Sequence, residues 1–116
     1  MTTVAQSLGG FAARFPTGDL PALALERAKM SLASTLASAS AGYRIPSAAS
    51  VRGLEIAAGG RPDAGVWFDT ARLPADRAAR ANAVASDAAA SDDSDLRSIA
   101  HIGTIASATG LAMGER

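Results

Sequence analysis

Apolar residues recur at three- and four-residue intervals along most of the chain, the period of one face of an α-helix. Val4, Leu8, Phe11 and Phe15 predict a first helix over roughly Thr3 to Phe15, weakened by Gly9-Gly10. Pro16 and Gly18 break the pattern. A second helix follows. Pro21 suits its first turn and Asp19 its cap, and Leu25, Leu32, Leu36, Ala39 and Tyr43 form its apolar stripe. Glu26, Arg27 and Lys29 mark its wet side, Gly42 fits its C-terminal stop, and Pro46 marks the exit. A third helix spans Ser47 to Ala58 and ends at Gly59-Gly60. The apolar run Gly65-Val66-Trp67-Phe68 then reads as an extended segment or a packed loop, with Trp67 as a core anchor. A fourth helix starts near Pro74 and packs through Ala81, Val84, Ala85 and Ala88, with Asp76 and Arg80 spaced to pair on its surface. A fifth starts near His101 or Ile102 and runs to about Met113. The expectation is an all-α chain of about five helices. Residues 1–116 form a single helical unit without repeat or linker, as part of a larger helical domain.

Composition sharpens that last point. One domain's worth of residues, 116, carries 48% apolar but only 4% aromatic residues, and alanine dominates. Such helices approach closely yet bury little area per side chain. Further burial is expected elsewhere, in a larger partner subunit, a second copy, or the remainder of a larger fold.

Charge and cysteine content remove several functions. Eleven basic and eleven acidic residues balance to zero, and no basic stripe with interleaved aromatics exists, so nucleic acid is not an expected partner. The absence of cysteine excludes disulfides, thiolate chemistry and cysteine metal sites, and fits a cytoplasmic location. The N-terminus lacks the basic start of a signal peptide. Ser98 to Gly114 is the most membrane-like stretch, but its Ser, Thr, Gly and His101 content reads as a buried helix, so no membrane association is expected.

The candidate chemistry lies in Ser91 to Gly103, SDDSDLRSIAHIG, where three aspartates precede the single histidine. A calcium-binding EF-hand is excluded, because the turn glycine and the closing glutamate are missing. A looser carboxylate–histidine metal site and a solvated acidic loop remain as readings. A third has Asp93 accepting hydrogen bonds from loop amides or from Arg97, holding the loop over a pocket. His101 sits at a helix N-terminus, where free amides and the helix dipole attract anions. It could orient a substrate carboxylate together with the amides of Gly103 and Thr104, or move a proton near neutral pH. The plainer alternative is a cap-region histidine with a structural hydrogen bond. Arg97 could bind a carboxylate through its planar fork or pair locally. Gly103, Gly110 and Gly114 make no phosphate loop, and Ser94 with His101 makes no nucleophile elbow.

Arg77 to Glu115, with Asn82, Asp92-Asp93-Ser94, His101-Ile102-Gly103 and Gly110-Leu111-Ala112-Met113-Gly114-Glu115, resembles the MmgE/PrpD family of 2-methylcitrate dehydratase and cis-aconitate decarboxylase type. Members carry Ala-Asn-Gly, His-Ala-Leu-Asp-Phe-Asp-Asp-Thr, then His-Pro-Gly and an Ala-rich helix. Leu20 to Ala48 is similar to the family's second helix. The resemblance covers nearly all of this chain and about the first quarter of a typical member. It implies a cofactor-independent lyase or isomerase acting on small di- or tricarboxylic acids. His101 and Asp93 would be catalytic, with Asp92, Ser94, Arg97 and Gly103 against substrate. Departures stand at Asp87 for a histidine, Ala90 and Ser91 for Asp-Phe, and Ser34 for an aspartate. The family's active site also uses lysines and a further histidine from later positions, and Lys29 lies on the wrong side of the motif to replace them. The resemblance therefore implies a small subunit or N-terminal segment whose site is completed by another chain. The alternative is a non-catalytic helical structural or regulatory subunit.

Overall fold

The structure is a computed structural model that describes residues 2–116. Helix α1, Val4–Arg14, begins with a reciprocal cap: Thr3 Oγ accepts the Gln6 N–H at 3.2 Å, and Gln6 Oε1 accepts the Thr3 N–H at 2.9 Å. It stops because Pro16 disfavours helical geometry at Phe15, which is extended. No residue of α1 is buried, and Val4, Leu8 and Phe11 face outward.

Helix α2 spans Ala22–Gly42, with Pro21 one position before it. Asp19 does not cap it; Asp19 lies in a separate 3-10 turn, Thr17–Asp19. The buried face of α2 also differs from the leucine stripe. Thr35, Ser38, Ala39 and Gly42 are buried, while Leu25 is exposed and Leu32 and Leu36 are half-buried. The reason is distance. A Cβ on Gly42 would collide with the Ala85 carbonyl oxygen, so only small residues fit where α2 crosses the next helix but one.

Helix α3, Pro46–Ala58, starts with its proline in the first turn and ends at Gly59, whose φ of 61° favours glycine. Strands β1, Ala64–Gly65, and β2, Arg72–Leu73, pair antiparallel, with Ala64 opposite Leu73. The segment through Trp67 is the packed turn between them. Asp69 Oδ1 accepts the Ala71 N–H there at 3.1 Å. The half-buried Trp67 packs against the buried cluster Ala39, Ala48 and Ala85.

Helices α4, Ala75–Asp87, and α5, Ile102–Glu115, complete the chain. Helix α4 is the hub: α2, α3 and α5 all pack on it. Alanine supplies most of the contact, with Ala75, Ala78, Ala81 and Ala112 joining Ala64, Val66 and Leu73 in one core. Arg80 does not pair with Asp76. It reaches Glu55 on α3 at 2.7 Å, joined by Arg77 at 3.9 Å. The fold is therefore predominantly α-helical, with five helices and one two-stranded hairpin among the described residues. No helix among them is long and apolar enough to cross a membrane.

Candidate functional site

The loop that joins α4 to α5 folds on itself first. Ala90, φ 49°, and Ile99, φ 54°, turn the chain at either side. The Asp95 N–H donates to the Ala100 carbonyl at 3.0 Å, and the Ile99 N–H to the Asp95 carbonyl at 2.7 Å. The Asp95 side chain accepts the Arg97 N–H at 3.2 Å and the Ser98 hydroxyl at 3.0 Å. Those bonds, the backbone one foremost, hold its carboxyl below the ordinary range. Ser91 ties the loop to α2 through Ser38 at 3.2 Å.

This arrangement turns the two neighbouring aspartates to different uses. The Asp92 side chain is 1% exposed. Its Oδ2 lies 2.7 Å from His101 Nδ1 and accepts the Thr104 hydroxyl at 2.8 Å. Thr104 in turn lies 3.0 Å from the hydroxyl of Ser86 on α4. Among the described residues, Asp92 Oδ1 is buried without a partner. Burial pushes the Asp92 carboxyl up, but the bonds from His101 and Thr104 outweigh it and leave the group below its ordinary value. The same hydrogen bond, then the Asp92 charge, raises His101 against an opposing cost of burial. Asp87, 3.4 Å from Nδ1, and Asp93 add to the rise.

The remaining sequence candidates are spread around this pair. Asp93 is exposed, with its carboxylate directly over Gly103 and Oδ2 3.5 Å from the Ser31 hydroxyl of α2. Its expected Arg97 bond is absent. Arg97 is 94% exposed and pairs with Asp95 at 3.4 Å. Ser94 is exposed. Gly103 is buried in the first turn of α5, where any side chain would meet the Asp93 carboxylate. The Thr104 hydroxyl, Ser86 and Ser31 escaped the sequence reading. A signal existed for Thr104, which follows His101 by three residues and so shares its helix face.

The geometry limits the chemistry. A carboxylate accepts, so a neutral His101 carries its proton on Nδ1 and its lone pair on Nε2. With 41% of the side chain exposed, Nε2 is the nitrogen open to a reacting proton. Among the described residues no side chain caps the N-terminus of α5, so its first amides and positive dipole end stand beside the imidazole. Asp87, Asp92 and His101 place ligand-type atoms within 4.8 Å of one another, a set that could in principle hold a cation. The 2.7 Å contact is, however, a hydrogen bond that already occupies Nδ1.

The sequence pattern of the MmgE/PrpD N-terminal domain matches residues 6–116. The chain therefore belongs to the MmgE/PrpD family, through that family's N-terminal domain. No curated protein and no solved structure matches it.

Proposed function

We propose that this domain supplies His101 to the active site of an MmgE/PrpD-like lyase or isomerase acting on a small di- or tricarboxylic acid. The observation that carries the reading is the Asp92–His101 pair beside the uncapped start of α5. Asp92 fixes the ring and favours its charged form. In its charged form the ring, with the α5 amides, attracts a substrate carboxylate and delivers a proton from Nε2; in its neutral form Nε2 takes the proton from the neighbouring carbon. In this reading Asp92 takes the orienting role, and Asp93 contacts substrate together with Ser94 and Gly103. Arg97 lies farther out, as a carboxylate contact at the rim. Dehydration and epimerisation begin with removal of that proton, decarboxylation ends with delivery of a proton to the carbon that has lost carbon dioxide, and none of the three needs an organic cofactor. The other acid/base groups come from a larger subunit or from residues outside this domain, in a cytoplasmic assembly.

A second reading, a non-catalytic helical subunit, is favoured by Ala90, which offers no carboxylate where the family pattern has an acid. One experiment separates the two. The chain is co-expressed with the products of neighbouring genes, and complexes are identified by native mass spectrometry. The purified complex is then tested in D2O for deuterium exchange at the carbon beside a carboxylate, in di- and tricarboxylic acids and in the products formed from them. The lyase reading expects exchange that His101→Ala abolishes. Exchange at an unchanged rate in His101→Ala, or a folded monomer that takes no partner and exchanges nothing, would overturn it.

A further inference from the structure

A buried carboxylate is costly unless donors satisfy it. Asp92 Oδ1 has none, so the donors on Oδ2 carry the stabilisation of the charge. They are unequal. His101 is a half-exposed side chain whose ring changes charge as Nε2 takes or gives a proton, whereas Thr104 is buried in the first turn of α5. The Thr104 proton points to Asp92, which leaves its lone pairs facing the fully buried Ser86 on α4. The single Ser86 proton reaches either Thr104 or the Ala83 carbonyl, 2.9 Å away. A hydroxyl chain thus runs from the hub helix to the back of the imidazole.

We propose that Thr104, supported by Ser86, is a positioning residue of the His101 site: its hydroxyl keeps Asp92 ionised and aimed at Nδ1 throughout proton transfer at Nε2. Without that donor, the buried carboxylate would compete with Nδ1 for the shared proton, and the ring would lose its fixed tautomer. Thr104 touches no reacting atom and acts through Asp92. The inference deepens the reading of His101 as a proton-transfer group and rests on it. Its test needs no substrate, so the two can fail separately.

The test is an NMR titration of the Asp92 carboxyl carbon in the whole chain. It is run on the unaltered protein, Thr104→Val, Thr104→Ser and Ser86→Ala. Valine keeps the shape of threonine, so a purely packing role leaves the titration where it was. The proposal expects Thr104→Val to move Asp92 protonation to higher pH and Thr104→Ser to restore it. Ser86→Ala moves it in the same direction, and serves as the deciding variant where Thr104→Val does not fold. An Asp92 titration in Thr104→Val, or in Ser86→Ala where that variant decides, that coincides with the unaltered protein's overturns the proposal. So does a Thr104→Ser variant that titrates like Thr104→Val.

Discussion

Replacing Gly42 by alanine puts a methyl group where α2 meets α4. The new Cβ would collide with the Ala85 carbonyl oxygen and lie 3.1 Å from the Ala85 carbonyl carbon and 3.3 Å from Ala88 Cβ. A backbone oxygen cannot swing aside, so the helices must separate. Overpacking of this kind costs about 1–3 kcal/mol. Alanine recovers at most about 1 kcal/mol of helix propensity, leaving a net loss of up to about 2 kcal/mol. At about 4 °C per kcal/mol, the melting temperature falls by up to about 8 °C. Gly53, inside α3 with nothing within 4 Å of its Cβ position, is the control. There Gly53→Ala gains about 1 kcal/mol and raises the melting temperature by about 4 °C. Thermal unfolding followed by helical circular dichroism reads both. If both substitutions raise the melting temperature equally, close α2–α4 contact does not organise this fold. The consequence reaches the site, because α2 carries Ser31 and Ser38, which hold Asp93 and Ser91.

Asn82→Ala removes the bonds that pin the hairpin to α4, from the Trp67 N–H at 2.8 Å and to the Gly65 carbonyl at 3.0 Å. It should cost about 2–4 kcal/mol in urea unfolding and red-shift the fluorescence of the single tryptophan. Glu55→Gln breaks the pairing of a buried carboxylate with Arg77 and Arg80. Since Arg80 is largely exposed, about 1 kcal/mol should be lost, and less at high salt. Stability should also depend on pH through the Asp92–His101 pair. The His101 contribution is complete below its ordinary value of 6.5 and disappears as pH rises through the raised folded value. The Asp92 contribution is complete above 3.8 and disappears as pH falls through the lowered folded value. The gap in melting temperature between the unaltered protein and Asp92→Asn should therefore be widest between pH 3.8 and 6.5. A gap that stays constant from pH 3 to pH 9 would count against the pairing.

The helices were legible in the sequence because their limits are written locally. Pro16, Pro46 and Gly59 each act on neighbouring backbone, whatever the rest of the fold does. The buried faces were less legible. Hydropathy favoured Leu25 and Leu32 on α2, but the helices lie so close that size decides, and Thr35, Ser38 and Gly42 go inside. Asp19 and Asp76 looked like local partners for their own helices, yet α2 starts after Pro21, and Glu55 on another helix offers Arg80 a buried carboxylate. The loop was legible as a place but not as an arrangement. No periodicity distinguishes Asp92 from Asp93. Asp92 turns inward because Thr104 on α5 and His101 just before it wait there, and that proximity exists only once α5 has packed on α4. The same packing brings in Ser86, eighteen residues from Thr104 in the chain.

The central claim is that Asp92 holds and charges His101. The chain has one histidine, so a single imidazole resonance reports on it without ambiguity. Its titration by proton NMR, in the unaltered protein and in Asp92→Asn, is the most direct test. The account predicts a midpoint above 6.5 in the unaltered protein, moving down toward the ordinary value in Asp92→Asn. A midpoint at or below 6.5, or one that Asp92→Asn leaves in place, would contradict it.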